Sequence, residues 1–142
     1  MTFLEKSNWV VLVVAVPTLL GYGAVVVPQV LSKPMAEVSW VQPMIFAIVG
    51  FVAANILGNI AAAISNPSEA DKNDERDREI DQFGERVGNW LIVAGSIAAL
   101  ILAMSTADHF WIGNAVFLGG IAGALLSSVT TIAAYHGPFQ RW

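Results

Sequence analysis

Apolar residues in this chain come in long unbroken runs, not in alternation. Four runs stand out: about Trp9 to Leu31, Pro43 to Ile64, Val87 to Met104 and Ile112 to Tyr135. Each is close to the ~20 residues that a helix needs to cross about 30 Å of hydrocarbon. Strands of a membrane barrel read as short alternating segments, which these are not. Lipid offers no partner for backbone N–H and C=O groups, so each run is predicted to be an α-helix that satisfies its own. The expected fold is all-α, one membrane domain over residues 1–142, built as a four-helix bundle of two helical hairpins.

One strongly polar stretch, residues 66–86, separates the second run from the third. Asn66, Pro67 and Glu69 form a helix-start signal. Within Asp74 to Val87, Ile80, Phe83 and Val87 share one helical face, while Asp74, Asp77, Asp81 and Glu85 share another. This spacing predicts a cytoplasmic amphipathic linker-helix that lies on the membrane surface and leads into the third span. Its four acids are the candidate docking face for a partner protein. The alternative is a solvated charged linker. An EF-hand is excluded, because a loop counted from Asp71 has Arg76 where Gly is needed and Gln82 where Glu is needed.

Composition agrees with the runs. Hydrophobic residues make up 56% of the chain and charged residues 13%, about half the share usual in a soluble domain. Mean hydropathy is +0.63. A net charge of −4 leaves no basic surface for phosphates, so nucleic acid is not an expected partner. The lipid bilayer is. With four spans, Lys6, Lys72, Arg76, Arg78, Arg86 and Arg141 fall on one side and Lys33 alone on the other. The excess of Lys and Arg predicts that both termini are cytoplasmic. The first run is too long for a signal-peptide core and lacks a clear cleavage site, so it reads as a span.

Inside the spans, Gly119 and Gly123 form a small-residue motif, with Ala54 and Gly58 and then Gly95 and Ala99 as weaker ones. Such faces let helices approach closely, either within one bundle or in a homodimer. Asn55 and Asn59 share a face of the second span. They are expected to bond across to Ser96, Ser127, Ser128, Thr130 or Thr131, or to line a polar site. Pro17 is expected to kink the first span and Pro28 to help end it. None of the four runs holds an ionisable side chain of the kind that marks coupled transporters. No catalytic or nucleotide-binding motif is present, His109 and His136 sit at opposite ends of the fourth run, and there is no cysteine. No enzyme, metal or cofactor is therefore expected. The function expected is contact with a membrane or cytoplasmic protein, as an accessory, sensor or immunity-type factor. A small homo-oligomeric transporter or channel subunit is the alternative.

Two stretches carry a resemblance. Asp74-Glu75-Arg76-Asp77-Arg78-Glu79-Ile80-Asp81 with Gly84-Glu85-Arg86-Val87-Gly88 is the first. Ala107-Asp108-His109-Phe110-Trp111-Ile112-Gly113-Asn114-Ala115 through Ala134-Tyr135-His136 is the second. Together, over about residues 70–138, they resemble a group of small bacterial four-span membrane proteins of unassigned function. The resemblance implies a multi-pass protein of the bacterial inner membrane. Through neighbouring small transcription regulators it also implies a signalling or immunity role. It implies no activity.

Overall fold

A computed structural model describes residues 1–70 and 74–138, the side chain of Glu69 aside. The expectations resting on Asp71, Lys72, Arg141 and the Glu69 side chain lie outside what is described. Four long helices dominate: Phe3–Ser32 (α1), Val41–Ser65 (α2), Glu75–Met104 (α4) and His109–His136 (α5). A single turn, Pro67–Ala70 (α3), follows α2, and a 3-10 turn, Met35–Glu37, lies between α1 and α2. All four long helices are long and apolar enough to cross a membrane. Among the described residues there is no strand.

Local chemistry sets the ends. The Thr2 hydroxyl accepts the N–H of Glu5 at 3.2 Å and starts α1. Pro17 and Pro28 lie inside α1 without ending it. Beside them, Thr18 Oγ donates to Val14 O and Ser32 Oγ to Pro28 O, each at 2.7 Å. The stop expected at Pro28 falls instead after Ser32, just before Pro34. Asp74 opens α4 with a capping box in which Asp77 reaches back to the Asp74 N–H. At the other end of α4, Thr106 N–H bonds Ala103 O at 3.1 Å and Ala107 N–H bonds Leu102 O at 3.0 Å. This is a Schellman closure, with Thr106 at φ 53° where glycine is usual.

The expected linker-helix is corrected in form. Pro67–Ala70 is a four-residue helix among the described residues, and Glu75–Met104 is one unbroken helix. Thirty residues span about 45 Å, about 15 Å more than the hydrocarbon layer. The charged residues are thus the first turns of the third long helix.

The packing also departs from a closed bundle. Extensive contacts run α2 to α1, α1 to α5, and α5 to α4, so the helices form a row with α2 and α4 at its edges. An aromatic and aliphatic core sits where α1, α5 and the start of α2 meet: Tyr22, Val26, Met44, Phe110, Phe117 and Ile121 are all buried. Tyr22 lies 4.9 Å from Phe117 and Trp40 lies 5.9 Å from Phe110, ring centre to ring centre.

The α4–α5 seam is built from small residues. Gly84 faces Thr131 and Ser127, Gly88 faces Gly123 and Ser127, and Gly95 faces Gly119 and Ala115. A Cβ on Gly95 would lie 2.8 Å from both Ala115 O and Gly119 Cα, so glycine is required for the backbones to meet. Gly119 and Gly123 therefore pack within the chain.

Candidate functional site

Polar side chains gather at the end that holds the starts of α1 and α4 and the end of α5. Tyr135 Oη donates to Asp77 Oδ1 at 2.5 Å, and the Asp74 N–H reaches Asp77 Oδ2 at 3.4 Å. Glu5, itself buried, has an oxygen 3.4 Å from His136 Nε2. His136 Nδ1 lies 2.9 Å from Ile132 O. These contacts tie three helices together at one end.

The four acids of the expected docking face do not behave as one surface. Asp74 is exposed and caps α4, its carboxylate accepting the Glu75 N–H at 2.7 Å. Asp77 is 8% exposed and turned toward α5. Asp81 is half-buried, and Glu85 is exposed. Burial first, and the neighbouring Glu85 charge second, push the Asp81 carboxyl above its ordinary range. The reason for the departure is rotational. The stripe of α4 that meets α5 is Asp77, Ile80, Gly84 and Gly88, which lies between the predicted apolar and acidic faces. Outward-facing positions on these turns are Glu75, Arg76, Arg78, Gln82, Glu85 and Arg86. This surface is mixed in charge, not purely acidic. Gln82, Glu85, Arg86 and Asn89 rim a depression of about 620 Å³ whose floor includes Gly88 and Gly123.

Asn55 and Asn59 lie on the half-buried stripe of α2, yet neither reaches another helix. Asn55 Nδ2 donates to Phe51 O and Asn59 Nδ2 to Asn55 O, each at 2.8 Å. The serines and threonines expected as partners are on α4 and α5, which α2 scarcely meets. Asn55 Oδ1 is buried without a hydrogen bond. Thr131 Oγ is likewise buried without one and sits against Gly84, where α4 has no side chain.

A buried interhelical polar bond between α1 and α5 is one that sequence reasoning missed. Tyr22 Oη donates to Asn114 Oδ1 at 2.7 Å, joining α1 to α5, and Asn114 Nδ2 donates to Phe110 O at 2.8 Å. The signal was an amide and a hydroxyl in opposite apolar runs, with nothing to pair them across 92 positions.

A cleft of about 880 Å³ opens between α1 and α2. Its wall includes Pro17 and Gly21 from α1 and Phe46, Gly50 and Ala54 from α2. Asn55 and Asn59 do not line it. Comparisons with protein-family models, with curated proteins and with solved structures find no match for this chain.

Proposed function

We propose that this chain is a multi-pass membrane protein of a bacterial inner membrane. In this reading it acts by protein contact, as an accessory, sensor or immunity-type factor. Its four long helices cross the bilayer, with both termini and the charged start of α4 in the cytoplasm. The contact surface is the outward side of that start, from Glu75 to Arg86.

The observation that carries this reading is the continuity of α4 from Glu75 to Met104. A charged segment on a flexible loop would lose much conformational entropy on binding. Here it is a rigid extension of a long apolar helix, held to α5 by the Asp77–Tyr135 bond and by the Gly84–Thr131 approach. Two further facts support the setting. Large apolar side chains such as Leu20, Leu31, Phe46, Leu57 and Leu118 stand exposed on the outside of the helices, which suits lipid better than water. Lys6, Arg76, Arg78 and Arg86 lie at the shared end, and Lys33 lies at the other.

Two measurements test it. The chain has no cysteine, so single cysteines report sidedness cleanly. Asp74→Cys should react with impermeant reagent only from the cytoplasmic side, and Thr106→Cys only from the outer side. A photo-crosslinker at Gln82 should trap a discrete protein adduct that is lost on charge reversal at Glu85 and Arg86. Adducts that are diffuse and indifferent to charge reversal refute the contact surface.

A further inference from the structure

The α1–α2 cleft has the anatomy of a binding site, and its polarity is graded. Gly21 and Gly50 face open space, with nothing within 4 Å of where a Cβ would stand. The remaining wall around them is largely apolar: Pro17, Val25, Phe46 and Ala54. Polar groups collect at the end away from the termini, where Gln29, Ser39 and Gln42 line the opening. Gln29 is fixed there by two bonds of 3.0 Å, donating to Val25 O and accepting the Ser39 N–H. The Gln42 side chain makes no hydrogen bond among the described residues and is free to meet a ligand. Deeper in, Pro17 has no N–H, so the carbonyl of Val13 lacks its helical donor. The neighbouring Thr18 hydroxyl bonds Val14 O and not Val13. Val13, Pro17 and Thr18 all line the cleft. None of its lining side chains is charged. Ligand sites of this kind run to about 300–1,000 Å³, mostly apolar with a few placed polar groups.

We infer that this cleft binds a neutral lipid. Its hydrocarbon chain lies along Gly21 and Gly50, and its uncharged hydroxyl or ester head lies at Gln29, Ser39 and Gln42, in the leaflet opposite the termini. The absence of a charged lining side chain selects against a phosphate-bearing head. An open groove between two apolar helices takes its ligand sideways from the bilayer. The inference rests on the reading that the four helices cross a membrane.

The test uses the full chain in its native membrane. A photoreactive diacylglycerol probe should label peptides from both walls of the cleft. Gly50→Phe, which fills the open space, should lower that labelling at least fivefold. Gly120→Phe, at an α5 glycine that also faces open space, should leave it unchanged. Both variants should keep wild-type helix content and resistance to carbonate extraction. Labelling that Gly50→Phe leaves unchanged overturns the inference. So does equal cleft labelling by a photoreactive phosphatidylglycerol, or a crosslink from the cleft to a second copy or to another protein. A chain released by carbonate removes the membrane reading itself. A carbonate-resistant chain without Gly50-dependent labelling removes only the lipid site.

Discussion

Replacing Gly95 by leucine should separate the two most tightly packed helices. The first side-chain atom alone would stand 2.8 Å from Ala115 O and from Gly119 Cα. Ordinary packing distances begin near 3.4 Å, so α4 and α5 must part by about 0.6 Å for an alanine and by more for a leucine. The atoms in the way are backbone and cannot swing aside. The movement also spreads along the seam, where Gly84, Gly88 and Gly123 meet backbone or Cβ atoms of the facing helix. Overpacking of this kind costs about 1–3 kcal/mol. Every weak Cα–H···O bond broken as the seam opens adds about 0.5–1 kcal/mol. Against this, leaving glycine gains up to about 1 kcal/mol of helix propensity. The net expectation is about 1–2 kcal/mol of destabilisation for Gly95→Ala and about 3 kcal/mol for Gly95→Leu. Gly120→Ala, whose Cβ meets nothing within 4 Å, should be neutral or slightly stabilising. Reversible unfolding in mixed micelles, followed by tryptophan fluorescence, gives the three values. A Gly95→Leu protein within 0.5 kcal/mol of wild type, its near-ultraviolet dichroism unchanged, would refute the seam.

Other substitutions probe the remaining interactions. Tyr135→Phe removes the donor to buried Asp77 and should cost about 1–3 kcal/mol; a double-mutant cycle with Asp77→Asn should show coupling well above 0.5 kcal/mol. Tyr22→Phe leaves Asn114 Oδ1 without its partner, and the loss should be about 0.6–1.7 kcal/mol, the range for interhelical bonds in membranes. Thr106→Gly relieves the left-handed backbone at φ 53° and should stabilise by about 1 kcal/mol. Because burial and then Glu85 raise the Asp81 carboxyl, folding favours its protonated form. That contribution is complete below the ordinary value near 3.9 and is lost as pH rises through the raised value. Unfolding curves from about pH 4 to 8 should therefore decline less in Asp81→Asn than in wild type, and equal slopes would show that Asp81 is not so perturbed.

Long helices are legible in the sequence because their cause is local. An unbroken apolar run announces a helix by itself, so Trp9–Leu31 and Ile112–Tyr135 fall inside α1 and α5. What hydropathy hides is how far a helix continues once it turns polar. α1 starts at Phe3 and α4 at Glu75, well outside their apolar runs, because caps at Thr2 and Asp74 set those ends. The second glycine motif, Gly84 and Gly88, is hidden for the same reason: it lies among charges. Pairings between helices are not legible. Asn55 and Asn59 read as interhelical donors because a closed bundle would bring α4 or α5 beside them. In the observed row they have α1 alone, and they fold back on their own carbonyls. Asp77 shows the limit of helical-wheel reasoning. A wheel sorts polar from apolar, but Tyr135 and Thr131 decide which edge of the polar sector is buried.

The two halves of the row differ in tightness. α4 and α5 meet through glycines, backbone to backbone, over about four helical turns of seam. Such a pair has little room to shift, and it carries the charged start of α4. α1 and α2 meet through Val10 and Gly58 at one end and the Trp40–Met44 neighbourhood at the other. Between these ends, Gly21 and Gly50 touch nothing, and a cleft of about 880 Å³ remains. Small residues promote helix association in lipid only when two of them face each other. On α4 and α5 they do, as Gly95 does Gly119. On α1 and α2, Gly21 and Gly50 leave an open space. The Tyr22–Asn114 bond joins the halves, and Tyr22 also lines the cleft. Tyr22 is thus shared between the cleft wall and the α1–α5 contact.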